Sequence, residues 1–587
     1  MTRIFNAERG FKDELLEGLT SAYSRYLRRV PGASAVMSVD APISGQVSVI
    51  IGGGSGHYPA FAGLVGPGLC HGAVVGEVFT SPSAAQAYRA ITALDGGAGV
   101  LLSFGNYSGD VMHFGLAAEQ ARAAGIDARI VLVTDDVVSA PVERIRERRG
   151  IAGTFFVFRA ASAAARAGAD LGTVERIAQL TNSRTRSFGV AFAGCTFPGR
   201  SEPLFRVDPG TIAIGLGIHG EPGIDTVDWM PAEALGELLL ARLLTERPVG
   251  ATRARVLVNG LGSTKYEEMF VLYRSLHRLL ELADVEVVEP EVGEFVTSLD
   301  MAGCSLTLCW LTDELEPLLG TPAATPGYRT GGGTWAVTPP PAAPLVTPAP
   351  VVATDPSAAA QAVVAALDAA QAAITIAEAE LGRLDAVAGD GDHGVGMVRG
   401  LTAAAAASRT GATASGALIA AGNAFSDAAG GASGALWGAA LLAIGRVLGN
   451  ASPPDGPDPC PDAAAVADAL TEARDVVMRL GGARVGDKTM VDTLAPFVDA
   501  FRASTASRAS RASRATVAWR DALPAAENAA QATAAMSGRK GRAATHGDHS
   551  IGTVDPGAYS LALALRAIAT ALDTQPDTRY DTQEATR

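Results

Sequence analysis

The sequence predicts two domains of different class in one chain of 587 residues: an α/β domain followed by an all-α domain. Three observations carry this. From Met1 to about Leu319, short β-branched runs stop in glycine turns and alternate with Ala/Leu/Arg-rich segments. From Thr321 to Pro356 the text is dense in Pro, Gly and Thr, with Pro339-Pro340-Pro341 near its centre, which reads as a linker. After Ser357 it becomes alanine-rich and helical, with few β-branched runs. The divisions are residues 1–330, a linker over 331–356, and 357–587, with the stretch up to Thr330 expected to pack on the first domain. At ~150 residues per domain, the length suggests three or four units.

Taken in order, Val47–Ile51 stops in Gly52–His57, Val100–Ser103 in FGNYSGD, Ile130–Val133 in TDD, Ile212–Ile214 in GLGIHGEPG, and Val256–Val258 in NGLGST. Helical segments such as Ala84–Ala93 and Ala160–Ala169 separate such runs, which predicts mostly parallel strands. Ligands in such folds bind at the carboxyl ends of strands, so the five turns are expected to converge on one cleft. In the second domain Ala358–Leu381, Leu401–Ala407, Leu436–Leu448 and Ala463–Leu480 read as helices. The Ser-Arg-Ala repeats within Phe501–Arg520 read as a flexible basic connection.

Composition narrows the function. A formal charge of −14 argues against nucleic acid or an anionic membrane as the main partner. Five cysteines without a CxxC indicate neither a disulfide framework nor a zinc site, and fit a reducing cytoplasm. The opening MTRIFNAERG lacks the apolar run of a signal peptide. The most apolar helical stretch, Ala428–Gly445, is so rich in Gly and Ala that it reads as a buried helix rather than a membrane span.

The stretch Leu384–Gly396 puts Asp385, Asp390 and Asp392 within eight residues padded with Gly and Ala. Carboxylates so close repel unless a cation neutralises them, and all-oxygen ligands suit a hard ion. An EF-hand is excluded because Gly394 and Leu401 stand where its fifth and twelfth ligands belong, which leaves magnesium, an ion usually held jointly with nucleotide phosphates. Gly52–His57 fails as a dinucleotide fingerprint, since His57 or Pro59 replaces the third glycine. Gly481–Thr489 misses a P-loop because Asp487 separates Gly486 from Lys488 and Val476–Leu480 before it reads as helix. His57 and His219 both sit in glycine turns that close strands, and Asp110 closes a third, so the set offers a nucleophile and a general base. There is no GxSxG elbow.

GGGSGHYPA, NYSGDVM, RRGIAGT, GIHGEPG, VTSLDMAG with SLTL, DAVAGDGDHG, GGASG, GGARVGDKTM and VDPGA, in this order, resemble the dihydroxyacetone kinase family in its fused ATP-dependent form, over nearly the whole chain. The resemblance implies a first domain of two α/β subdomains that binds a ketose, and a second, an α-helical barrel, that holds ATP with Mg2+. It implies that His219 forms a covalent hemiaminal with the substrate carbonyl, that His57 and Asp110 bind and deprotonate the reacting hydroxyl, and that Gly54, Ser55, Gly56 and Gly105 border the substrate. It gives Asp385, Asp390 and Asp392 as metal ligands. Nucleotide contacts fall on His393, Gly394, Val395, Gly396, Ala432, Ser433, Gly481, Thr489, Met490, Asp555, Pro556 and Gly557. It also implies a cytoplasmic homodimer acting on a small molecule.

One residue departs from the pattern: Gly105 stands where many members have lysine, which is expected to open space beside the substrate for a fourth carbon. The expectation is therefore an ATP-dependent kinase of erythrulose or dihydroxyacetone. A phosphotransferase-system donor with the nucleotide as recycled cofactor, and a non-catalytic ketose sensor, are the alternatives.

Overall fold

The computed structural model describes residues 4–7, 10–331, 355–389, 391–450, 460–507, 515–541, 544 and 550–573. It divides into two compact units, Met1–Thr347 and Pro348–Arg587. The division falls within the predicted linker, of which residues 332–354 lie outside the described ones.

The first unit opens with α1 (Phe11–Ala22) and then a six-stranded sheet in the order β1-β2-β4-β3-β5-β6. Its strands are β1 (Leu27–Arg29), β2 (Ala35–Ser38), β3 (Ser48–Ser55), β4 (Gly72–Val78), β5 (Val100–Gly105) and β6 (Ala128–Val133). The last four run parallel, with α2 (Ala84–Leu94) and α3 (Ser108–Ala123) as crossovers. Buried on both faces, β3 reads as the near-continuous apolar and glycine run SVIIGGGS with every residue buried. α4 (Thr154–Arg166) and α5 (Leu171–Arg184) lead out of this sheet.

The second sheet has seven strands in the order β11-β10-β13-β7-β8-β9, with β12 also on β10. These are β7 (Thr185–Ala193), β8 (Thr211–Ile214), β9 (Asp225–Asp228), β10 (Arg253–Gly260), β11 (Glu286–Val287), β12 (Glu291–Gly293) and β13 (Ala302–Trp310), with α6 (Ala232–Leu244) and α7 (Tyr266–Leu282) between them. The expectation of mostly parallel strands fails here. β10 with β13, β13 with β7, β7 with β8 and β8 with β9 are all antiparallel. Chain direction explains it, because β7, β8 and β9 follow one another without a helix to carry the chain back. Beyond α8 (Leu315–Leu319), a short hairpin of β14 (Ala323–Ala324) and β15 (Arg329–Thr330) ties down the stretch to Thr330, where Ala324 N–H donates to Pro67 O at 2.9 Å.

The second unit is helical: α9 (Ala358–Ile376), α10 (Glu378–Asp385), α11 (His393–Ser408), α12 (Ala414–Ala429), α13 (Gly431–Asn450), α14 (Ala463–Gly481), α15 (Val491–Ser507), α16 (Ala515–Ala532) and α17 (Pro556–Asp573). Each of α11 to α17 packs on the next, and both α11 and α17 pack on α9, so eight helices close a ring. The Ser-Arg-Ala repeat at 508–514 lies outside the described residues, between α15 and α16. α9 and α13 are long and apolar enough, by length and composition, to cross a membrane. In α13, however, glycine serves helix packing: a Cβ on Gly438 would lie 2.9 Å from Gly422 O of α12, and the reverse contact is also 2.9 Å. Phe425 and Trp437 stack beside this approach, with centroids 5.8 Å apart.

Candidate functional site

In the first unit, the ends of β3, β5, β6 and β8 meet. β3 runs into Gly56, whose φ of +99° turns the chain and delivers His57 into the interior, 2 % exposed. Gly54 and Gly56 are glycine for a packing reason. A Cβ on Gly54 would come within 2.6 Å of Thr80 N, and one on Gly56 within 2.8 Å of the Phe79 ring. Phe79 in turn stacks on His57 at 4.9 Å.

Hydrogen-bond partners assign the protons. His57 Nδ1 lies 2.7 Å from Thr297 O, which only accepts, so Nδ1 carries a proton and donates it. His219, in the glycine loop after β8, places Nδ1 3.0 Å from Glu221 Oε1, so this nitrogen also donates. The two remaining nitrogens, His57 Nε2 and His219 Nε2, face each other at 3.0 Å. Glu221 is fixed by its other oxygen, which accepts the His219 backbone N–H at 3.0 Å and faces Arg149 Nη1 at 3.7 Å, while Arg149 pairs with Asp136 at 3.0 Å. A Cβ on Gly217 would lie 2.0 Å from Glu221 Oε2, so only glycine fits there.

The electrostatics follow from burial and these neighbours. Desolvation, reinforced by His219, pushes the His57 imidazole down to about 3. Burial alone would raise the Glu221 carboxyl, but the charges of His219 and Arg149 override it and hold Glu221 below the ordinary carboxylate range. Tyr107, just past β5, sets its ring edge-on to His219 at 4.7 Å; burial and the Glu221 charge push its phenol well above its usual value. Among the described residues, neither Tyr107 Oη nor Ser55 Oγ has a hydrogen-bond partner, although both atoms are buried. Buried hydroxyls of this kind are what a polyhydroxylated ligand satisfies. Asp110, buried in the first turn of α3, follows three residues after Tyr107.

Gly105 corrects one expectation. Its missing side chain leaves no open space, because a Cβ there would lie 2.9 Å from the Tyr107 ring and 3.0 Å from Gly150 O. The volume is already filled by a tyrosine that touches His219.

In the second unit, His393 is the organising side chain. It opens α11, its backbone N–H donates to Asp385 Oδ2 at 3.3 Å, and its ring nitrogens lie 3.0 Å from Ser560 Oγ on α17 and 3.4 Å from Ser433 Oγ on α13. The first turns of three helices therefore meet, with Ala432, Ser433, Gly394, Val395, Gly396, Pro556 and Gly557 in those turns. A Cβ on Gly557 would lie 3.6 Å from Met490, which brings in Thr489 and the start of α15. Gly481, at the end of α14, points toward Leu436 of α13. Four helix N-termini at one place form an anion-binding end.

Carboxylates gather at the same end. Asp385 accepts from His393, Asp392 is the residue before α11, and Asp555 caps the start of α17, accepting Ala558 N–H at 2.7 Å. Burial above all, helped by the nearby charges of Asp492 and Asp385, raises Asp555 to about 7 against the opposing pull of the Ala558 N–H and Lys488. Among the described residues no group of three His, Cys, Asp or Glu is close enough to hold a metal by itself, and Asp390 lies outside them. The donor set fits a magnesium ion whose shell is completed by phosphate oxygens. Lys488 does not act as a P-loop lysine: it is 3 % exposed and donates to the carbonyls of Met536, at 3.1 Å, and Ser550.

Sequence reasoning missed Glu221, Arg149, Thr297 and Tyr107, although each lies within a motif it quoted. The signal for Glu221 was its place two residues from His219; nothing local pointed to Arg149 or Thr297, which reach the site only through the fold.

The Dak1 domain family matches residues 17–327 and the DAK2 domain family residues 387–570. The chain is 46% identical to the L-erythrulose kinase of Pectobacterium atrosepticum over 100% of this chain and 99% of that one. It is 47% identical to the D-erythrulose kinase of Mycolicibacterium smegmatis over 97% and 98%. Among solved structures, it is similar to the dihydroxyacetone kinase of Citrobacter freundii in complex with AMP-PNP and Mg2+, with a TM-score of 0.52 and 30% identity over 97% of this chain and 99% of that one. Matching family domains in both halves, and relatives of this identity along the whole length, establish that the chain belongs to the dihydroxyacetone kinase family.

Proposed function

We propose that this chain is an ATP-dependent kinase that phosphorylates a terminal hydroxyl of a short ketose, erythrulose or dihydroxyacetone, held on His219 as a covalent hemiaminal. The observation that carries the reading is the fixed orientation of His219. Glu221 occupies Nδ1, so Nε2, which faces His57 Nε2 at 3.0 Å, is the nitrogen left for a carbonyl carbon; Ser55, two residues before His57, and Tyr107, whose ring meets His219, each bring a buried hydroxyl without a partner among the described residues. Capture through a carbonyl selects ketoses over polyols such as glycerol, because only a carbonyl carbon accepts an imidazole nitrogen. His57 hydrogen-bonds the bound ketose, and Asp110 takes the proton of the hydroxyl that attacks the γ-phosphate.

The second unit binds the nucleotide. Asp385, Asp392 and Asp555 gather at four helix N-termini, and with Asp390 they hold ATP and Mg2+. His393 through Gly396, Ala432, Ser433, Gly481, Thr489, Met490 and Asp555 through Gly557 line the nucleotide. When bound, Mg2+ offsets charge on the β- and γ-phosphates. The two erythrulose kinase relatives, which differ in the hand of their named ketose, support a four-carbon substrate without choosing its stereoisomer. Substrate and nucleotide halves in one chain favour free ATP as donor over a phosphocarrier. Four buried free cysteines fit a cytoplasmic enzyme, and the resemblance to the family carries the reading that it is a homodimer.

The test is coupled ADP release with dihydroxyacetone, D-erythrulose, L-erythrulose and glycerol. Turnover with at least one ketose and none with glycerol is expected; equal turnover of glycerol would overturn carbonyl capture.

A further inference from the structure

Building on His219 as the carbonyl-trapping residue, we propose that Glu221, anchored by Arg149, is a counter-ion that lets the His57–His219 pair store one proton and hand it to the ketose oxygen without any change of net charge in the site. The count rests on geometry. Thr297 O and Glu221 Oε1 can only accept, so both Nδ1 atoms carry protons. Two bare Nε2 lone pairs facing at 3.0 Å would repel, so one further proton lies between them. The pair thus holds three protons on four nitrogens and carries one positive charge.

That charge is buried, and its surroundings determine whether it can stay. Glu221 bears directly on the pair, with Arg149 and Tyr107 around it and Asp136 and Asp135 beyond them. Arg149 is already matched by Asp136 at 3.0 Å, which leaves Glu221 as the anion for the histidines.

Addition to the carbonyl then balances. The shared proton moves through His57 Nε2 to the ketose oxygen. The freed lone pair of His219 Nε2 bonds to the carbonyl carbon, and the C=O π pair becomes the new O–H bond. His57 ends neutral, the product carries a neutral hydroxyl, and His219, substituted at Nε2 and still protonated at Nδ1, keeps the one positive charge opposite Glu221. In both resting pair and adduct the positive charge of the histidines stands opposite Glu221, so adduct formation avoids the cost that burying it alone would impose. Glu221 touches no reacting atom; it acts as a positioning residue through His219.

The experiment uses the full chain with Glu221→Gln, Glu221→Asp and His219→Ala. In the ketose-free wild type, 15N NMR of labelled histidines at neutral pH is expected to show three protonated nitrogens on the His57–His219 pair, and two in Glu221→Gln. Native mass spectrometry with erythrulose is expected to show a gain equal to the whole ketose, with no loss of water. Occupancy is expected to fall at least about tenfold in Glu221→Gln, as for a one-unit change in proton affinity, and to recover in part in Glu221→Asp. An unchanged melting transition of the first unit in each ketose-free variant controls for folding. Two protonated nitrogens in the wild-type pair would overturn the proposal whatever the variants do, and so would equal occupancy in wild type and Glu221→Gln. A three-proton pair in a wild type that forms no adduct would instead sink carbonyl capture itself.

Discussion

Gly105→Ala tests the link between specificity and the site's packing. The added methyl would sit 2.9 Å from a Tyr107 ring carbon and 3.0 Å from Gly150 O, against 3.4 Å or more for an ordinary contact. Something must yield by about half an ångström. Gly150 is itself pinned, since a Cβ there would meet Val133 O and Gly105 Cα at 2.6 Å, so the tyrosine ring moves instead, toward the imidazole it already touches. Overpacking of this kind costs ~1–3 kcal/mol of stability. The larger effect is on geometry: where a 1 Å displacement costs ~100-fold, half of that costs roughly tenfold, or about 1.4 kcal/mol of transition-state binding. A ring pushed into the pocket shortens it, so erythrulose is expected to lose kcat/KM roughly tenfold and dihydroxyacetone less, with Gly105→Lys stronger in the same direction. The assay is steady-state ADP release with both ketoses. A kcat/KM ratio within twofold of wild type, in a variant with an unchanged melting transition, would refute the role given to the Tyr107 ring.

Asp392→Asn is expected to lower kcat at least about 100-fold while leaving the ketose adduct intact, measured by turnover and native mass in parallel; near-normal kcat at ordinary magnesium would remove Asp392 from the metal set. A chain cut within residues 331–356 is expected to give two soluble pieces that phosphorylate ketose only when mixed, and activity in either piece alone would contradict the division of labour. Fully buried His71, whose Nδ1 accepts Val49 N–H at 3.1 Å, is held well below the usual imidazole value by burial and then by Arg166. The unfolded chain binds a proton there below about pH 6.5 and the folded chain does not, so stability is complete above that pH and falls as pH drops, by up to ~1.4 kcal/mol per pH unit. His71→Asn is expected to flatten the slope of melting temperature against pH between 6.5 and 5; parallel slopes would show that the acid sensitivity lies elsewhere.

The two fold classes were legible because their periodicities differ: β3 and β5 announce themselves as apolar runs closed by glycine, and α14 as alanine-rich helix. β7 and β13 were not legible. Their interiors carry buried hydroxyls, and Ser187 Oγ and Thr307 Oγ1 satisfy each other at 2.7 Å across the strand pair, a partnership invisible in either strand alone. The same holds at the site. His57 and His219 stand out because glycine exposes them locally, whereas Thr297 contributes only a backbone carbonyl, which any residue could supply. Arg149 sits among several arginines, and only the fold singles it out. The role first given to Gly105 failed because an absent side chain was read as empty volume, without knowing that Tyr107 would fill it.

His219 hangs from the seven-stranded sheet and His57 from the six-stranded one. A ketose bonded to the first, as proposed, and hydrogen-bonded beside the second would add a rivet between two layers that already share backbone hydrogen bonds, such as Leu299 N–H to Gly56 O at 2.8 Å. Occupied at a hundred times its dissociation constant, such a ligand adds ~2.7 kcal/mol to the folded state, roughly 4 °C in the melting of a unit this size, with the helical unit unmoved. Substrate supply then governs how long the first unit resists a protease: the chain is most durable when there is ketose to phosphorylate, and most readily cleared when there is none.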